Sequence, residues 1–227
     1  DSGDYWSIIK LLMYATCITR LDVAYQVRSL ARYGAAPTAA HMMAAKRVLR
    51  YLIGTLTLGL LYYWQPAAVA ATATPATATA AASLELVGYS DANLAGCLDS
   101  GRSMTGGLFL LAGGVAAFSS RLQHSVARSM MESEYMALFD AAQEAEQLWT
   151  LLAHLGLEQM APTATHEDNT AALAASMAAG HTRQSRHIRI RYHFTRELVA
   201  ADVIAVEQVT TAGQLTDCLA KNVGQER

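Results

Sequence analysis

Charge is scarce in this chain. Of its 227 residues only 16% are charged, and the formal net charge is −2, whereas soluble domains average about 25% charged residues. A balance so near neutral does not advertise a polyanionic partner, and leaves that role to a local basic patch. Cysteine is scarce as well. Cys17, Cys97 and Cys218 are far apart and odd in number, with no Cys-x-x-Cys pair. That excludes a disulfide framework and fits thiols kept in a reducing compartment. There is no apolar run of about 18 residues, the length that would read as a membrane span. The opening Asp1-Ser2-Gly3-Asp4 is not the basic-then-apolar start of a secretory signal. An intracellular, non-secreted protein with no membrane partner is therefore expected, and the missing initiator methionine is what a fragment of a longer chain would show. GxGxxG, P-loop, GxSxG and HExxH motifs are all absent, and with them the signatures of dinucleotide binding, nucleotide triphosphatases, serine hydrolases and zinc proteases.

What the chain has in quantity is apolar surface, 52% of residues, much of it alanine. Residues 5–33 carry helix-spaced apolar positions, Ile8, Ile9, Leu12 and Met13, then Val23, Val27 and Leu30. Thr38, after Pro37, is placed to cap a helix ending near Gly54. Leu56–Trp64 reads as a strand. Residues 66–83 are an Ala/Thr run broken by Pro66 and Pro75, too poor in buriable area to offset its ordering cost. This run is read as a linker over 65–83 between residues 1–64 and 84–227.

Beyond it the pattern turns β-rich. Leu84–Asp91 alternates as a strand, with Glu85, Val87, Tyr89 and Asp91 on one face. Residues 106–112 and 115–120 form a hairpin around Gly113-Gly114. A long helix spans about Ser129 to Leu155, stopped by Gly156. A strand at Ala161–Asp168, a short helix from Thr170, an ambiguous stretch at 183–200 favoured as helix, a strand at Val203–Val209 and a helix at Gln214–Asn222 complete the order. The expected fold class is α/β with a mixed, α+β-type sheet flanked by helices.

Four carboxylates stand out by position. Asp91 ends the first strand. Glu134 opens the row Glu134, Leu138, Ala141, Ala145, Leu148, Leu152, which is otherwise apolar and should face the sheet. Glu132 lies one position off that row and reads as solvated. Asp168 follows a strand, where Asp168-Asn169-Thr170 could equally cap the next helix. Asp217 opens the last helix, a common place for an acid. Acids from separate elements that converge repel one another and call for a cation, and oxygen-only ligation suits Mg²⁺ or Mn²⁺ better than zinc. Two such ions could activate a water and stabilise a leaving oxygen in phosphodiester hydrolysis. His181, His187 and His193 recur at a spacing that does not stack them on a helix face, so they do not read as a zinc site; His181 and His187 are candidates for proton transfer. Arg183, Arg186, His187, Arg189 and, separately, Lys46, Arg47 and Arg50 are either solvated basic faces or contacts to a nucleic-acid backbone.

At this point the chain resembles a family. Tyr89-Ser-Asp-Ala-Asn-Leu-Ala-Gly96, Ser103-Met-Thr-Gly106, Glu132-Ser-Glu-Tyr-Met-Ala137, Asp168-Asn-Thr-Ala-Ala172, Arg186 to Phe194 and Gln214-Leu-Thr-Asp-Cys-Leu-Ala-Lys221 are similar to the ribonuclease H domain of copia-type retrotransposon polyproteins. Tyr14 to Tyr25 and His41 to Gly54 resemble the C-terminal end of the reverse transcriptase that precedes it. The resemblance implies a ribonuclease H-like fold, a five-stranded mixed sheet flanked by helices, preceded by a small helical reverse-transcriptase remnant. It implies two-metal, magnesium-dependent hydrolysis of the RNA strand of RNA–DNA hybrids, with Asp91, Glu134, Asp168 and Asp217 as catalytic and metal-binding residues. The hybrid and the rest of the polyprotein would be the partners. No Tyr-x-Asp-Asp sequence is present, so polymerase activity is not expected. Departures from the family pattern at Leu21, Leu94, Cys97 and Ser129-Met-Met keep a second reading open, a non-catalytic nucleic-acid-binding module derived from such an element.

Overall fold

The computed structural model describes residues 2–62, 84–177 and 189–222. The Ala/Thr run read as a linker over 65–83 lies outside them. Three helices come first: α1 (Ser2–Ile18), α2 (Ala24–Ala31) after a single 3-10 turn, and α3 (Ala39–Gly54). Thr38 caps α3, its hydroxyl accepting from His41 N while His41 Nδ1 accepts from Thr38 N. Tyr5, Ile9, Leu12, Val27, Leu30, Ala45 and Val48 close a small core among these helices.

The strands are β1 (Val87–Asn93), β2 (Met104–Leu111), β3 (Gly114–Leu122), β4 (Thr163–Glu167) and β5 (Ile204–Gln208). They form one sheet in the order β3-β2-β1-β4-β5. The first three pair antiparallel, and β4 and β5 join parallel. Among the described residues the remaining helices are α4 (Met130–His154), α5 (Thr170–Met177), α6 (Arg189–Ala200) and the single turn α7 (Asp217–Ala220). This is the ribonuclease H-like arrangement that the sequence leads one to expect. One face of the sheet packs Leu86, Phe109 and Val206 against Tyr135, Leu138, Ala142 and Leu152 of α4 and Leu198 of α6. The other face, with Tyr89 and Leu108, is covered by Ala24 from the N-terminal helices and Leu219 from α7. Among the described residues no helix is long and apolar enough to cross a membrane.

Four local expectations are corrected. Leu56 to Tyr62 is not a strand: it turns after Thr55, and Tyr62 reaches the edge strand, its Oη donating to Val115 O over Gly114. The first strand begins at Val87 rather than Leu84, because the Gln159 amide binds Leu86 N and Leu84 O in place of a ladder. The hairpin turns one residue early, at Ala112-Gly113, both with positive φ (54° and 74°), as a two-residue loop with right-handed strand twist requires. The last helix is only Asp217–Ala220, since Gln214 is drawn into the sheet to donate to Ser90 O at 2.8 Å.

Candidate active site

Strand alternation sends Asp91 and Tyr89 to the face that α7 covers. Glu134 comes from α4 on the opposite face and reaches the end of β1, where its Oε2 accepts from Ala92 N at 2.7 Å. Asp168 follows β4, the parallel neighbour of β1. Helix capping does not occupy it: Asn169 Oδ1 accepts from Ala171 N and Ala172 N. Carboxylate oxygens of Asp91, Glu134 and Asp168 thus lie within 4.8 Å of one another. Asp217 is not a member of that trio. It adjoins it through Lys221, whose Nζ is 2.7 Å from Asp217 Oδ1 and 3.6 Å from Asp91 Oδ2.

Asp91 and Glu134 are almost completely buried, and water cannot screen their charges. Burial pushes the Asp91 carboxyl up to about 6 against the pull of Lys221. Burial, then repulsion from Glu167 and Asp91, carries Glu134 far above the carboxylate range. Burial works against the Lys221 charge too, but Asp217 and Asp91 outweigh it and hold the ammonium above its ordinary value. Asp91 Oδ2 makes no hydrogen bond. An oxygen-only donor set, mutual repulsion and a buried oxygen with no hydrogen bond together fit a hard divalent cation.

Three supporting residues escape a reading of the sequence. Ser90 and Glu167 each precede an acid of the trio, so their side chains face the other way. Ser90 Oγ donates to Glu167 Oε2 at 2.9 Å, just beyond the last β1–β4 pair, Tyr89 with His166. Glu167 Oε1 accepts from Asn169 N. This clamp continues the contact between β1 and β4 where the ladder ends. Gln214 ties the approach to α7 to Ser90. A period-two reading of Thr163, Thr165 and Glu167 could have flagged a carboxylate closing a buried row, and the Asp217–Lys221 spacing is that of a helical ion pair. Glu132, read as solvated, is buried; its Oε2 accepts from Arg128 N just ahead of the helix start.

The basic residues are spread out. Lys46, Arg47 and Arg50 are exposed on α3, which packs on α1 and α2. Arg183, Arg186, His181 and His187 lie outside the described residues, and Arg189 is described only as the first residue of α6. His193 is exposed on α6, while Arg196 donates to Ala175 O and joins α6 to α5.

The retrovirus-related Pol polyprotein from transposon TNT 1-94 of Nicotiana tabacum is 32% identical to the chain over 223 residues, 98% of this chain and 15% of that protein. The corresponding polyprotein from transposon RE1 of Arabidopsis thaliana is 32% identical over 221 residues, 97% of this chain and 14% of that protein. Over nearly its whole length the chain is homologous to one segment of these retrotransposon Pol polyproteins. It spans about 15% of the length of the polyproteins it matches. A shorter relative, secreted RxLR effector protein 161 of Plasmopara viticola, is 42% identical over 141 residues, 62% of this chain and 88% of that protein. Among solved structures, ribonuclease H1 from Halobacterium salinarum matches with a TM-score of 0.44 and 19% identity, over 60% of this chain and 94% of its own. No protein-family model matches. Within the matched residues the acid trio falls in the motifs that carried the resemblance: Asp91 in Tyr89–Gly96, Glu134 in Glu132–Ala137 and Asp168 in Asp168–Ala172.

Proposed function

We propose that this retrotransposon Pol segment hydrolyses the RNA strand of RNA–DNA hybrids. Residues 1–64 would be the C-terminal part of the reverse transcriptase and residues 84–227 the ribonuclease H-like domain. The observation that carries the reading is the meeting of Asp91, Glu134 and Asp168 from three separate elements. These three would hold the metal, with Asp217 alongside. Two magnesium ions bound there, or manganese in their place, would activate a water and stabilise the leaving oxygen of the phosphodiester. The chain's own contribution is placement. Ala92 N fixes the Glu134 carboxylate, Asn169 takes the capping role and leaves Asp168 to the trio, and Lys221 balances Asp217 and Asp91. Burial of Asp91 and Glu134 keeps these charges unscreened, which strengthens their hold on a cation.

The partners would be an RNA–DNA hybrid and the rest of the polyprotein, and the setting intracellular. Lys46, Arg47 and Arg50, with Arg183, Arg186, His187 and Arg189, are proposed backbone contacts. A second reading, a binding module that no longer cuts, draws on Lys221: its ammonium already supplies a cation to Asp217. The test is cleavage of an end-labelled RNA strand in a hybrid with Mg²⁺ or Mn²⁺, beside the Asp91→Asn and Glu134→Gln variants. Cutting by the parent, lost in both variants and absent on duplex DNA, is the expected result. A folded, hybrid-binding parent that does not cut would favour the second reading.

A further inference from the structure

The scarcity of charge makes one surface conspicuous. A cleft of about 310 Å³ opens between α2 and the ends of β2 and β3, and its lining includes Arg28, Arg32 and Arg121 and no carboxylate. A second cleft continues from it, sharing Arg121, and adds His124 and Arg191 with one acid, Asp140. Four arginines and a histidine therefore follow one path, from the N-terminal helices across the edge strand to α6. Asp140 pairs with Arg121 at 3.0 Å, and Asp99 pairs with Arg32 at 3.2 Å near the far end. Arg28 has no carboxylate partner among the described residues. Arg191 lies over the Phe139 ring, 5.6 Å from its centroid, which leaves the guanidinium plane presented on an apolar support.

The path runs up to α7, which sits over Gly106 between the cleft and the acids. Asp91 pairs with Gly106, and Gly106 with Ser120, which lines the first cleft. Two strand spacings of about 4.8 Å put Ser120 roughly 10 Å from Asp91, the span of a few nucleotides along a strand. Ser120 Oγ also donates to Leu219 O in the helix that carries Asp217.

We propose that this Arg28–Arg32–Arg121–His124–Arg191 strip is a track for the phosphate backbone of the hybrid, holding one strand a few nucleotides from the acids. The proposal rests on the nuclease reading for its ligand. The track uses arginine because a guanidinium pairs with phosphate oxygens in a fixed fork while staying charged at any physiological pH. It spans both the N-terminal helices and the sheet, so those helices would complete a binding surface as well as cover the sheet.

The test is anisotropy of a fluorescent RNA–DNA hybrid on the full chain carrying Asp91→Asn, so that binding is read without cutting, over a salt series. Arg28→Gln and Arg191→Gln each weaken binding about threefold to tenfold and lower the slope of log affinity against log salt by about 1 for each phosphate no longer neutralised. Arg28→Lys and Arg191→Lys keep the slope. Gln variants that melt like the parent and bind with its affinity and slope overturn the track, whether or not the unsubstituted chain cuts RNA. If the unsubstituted chain fails to cut but the Gln variants lose affinity, the nuclease reading falls and the track stands. If the chain binds no hybrid at all, both fall.

Discussion

Two buried charged clusters in this molecule have opposite designs. In the N-terminal helices Arg20 is matched group by group. Its guanidinium donates to both Asp22 oxygens at 3.0 and 2.9 Å and to Thr55 O and Oγ1, and lies near the Tyr51 ring. At the end of β1 three carboxylates meet, and Lys221, the cation paired with Asp91 among the described residues, is 3.6 Å from it. The titrations diverge accordingly. Burial works against the Asp22 charge, but the hydrogen bonds from Arg20 and Tyr51 prevail and keep its carboxyl below the ordinary value. Asp91 is carried the other way. Balanced burial ties α3 to the turn before α2. Unbalanced burial keeps a strain that a ligand of opposite charge can relieve, which is the difference between a structural pair and a site.

The largest effect is expected at Asp91. Asp91→Asn should lower cleavage of the RNA strand by at least about a hundredfold, several kcal/mol of lost transition-state stabilisation. The same variant should melt higher than the parent without metal and gain nothing when Mg²⁺ is added. A metal-dependent rise in melting temperature that survived the substitution would remove Asp91 from the ligand set. The mirror experiment is Arg20→Met. It strands Asp22 and should cost about 3 kcal/mol in a urea titration, with cleavage per folded molecule unchanged.

The pH dependence sharpens the contrast. A carboxyl raised to about 6 in the fold, from an ordinary 3.8, binds its proton more tightly folded than unfolded. Its unfavourable contribution is absent below about pH 4 and grows as pH rises through 6, reaching roughly 3 kcal/mol. Metal-free stability should therefore fall from pH 5 to pH 8, and saturating Mg²⁺ should flatten that fall; a metal-free profile flat across this range would contradict the unbalanced cluster. Asp22, held below its ordinary value, has the opposite sign: its contribution is present above pH 4 and lost on acidification through its folded value.

The smallest effect is expected at Lys221. Lys221→Gln removes the cation that opposes the Asp91 shift. It should lower the metal-free melting temperature by a few degrees and steepen its rise with added Mg²⁺, as calorimetry would show.

Much of this is legible in the chain. Asp91 and Asp168 can be found because alternation marks where a strand ends, and Glu134 because it interrupts an apolar row. What resists reading depends on contacts between distant residues. Glu132 lies in the same turn as Glu134 and is buried by Arg128 N, a partner that periodicity does not see. Leu56–Tyr62 has the composition of a strand, yet meets the edge strand through the Tyr62 side chain rather than a ladder. Ser90, Glu167 and Gln214 matter only because two strand ends and a late loop meet, which local spacing does not encode. The turn falls at Ala112-Gly113, one residue before the pair that spacing favours, because Gly113-Gly114 looks the easier pair to bend while the strand register decides where the chain reverses.

Gly106 of β2 bears on how the molecule comes into being. It has no side chain where α7 sits: a Cβ there would meet Thr216 O at 2.9 Å and Ala220 N at 3.1 Å. That gap is the seat of the last helix among the described residues, and the seat exists long before its occupant does. On the ribosome β1 and β2 can pair, and α4 can dock, while α7 is still unsynthesised. Through that interval the acids lack Asp217 and the Lys221 ammonium that stands beside them. The site is thus complete only once the turn that carries Asp217 has been made and has seated in the gap left by a glycine.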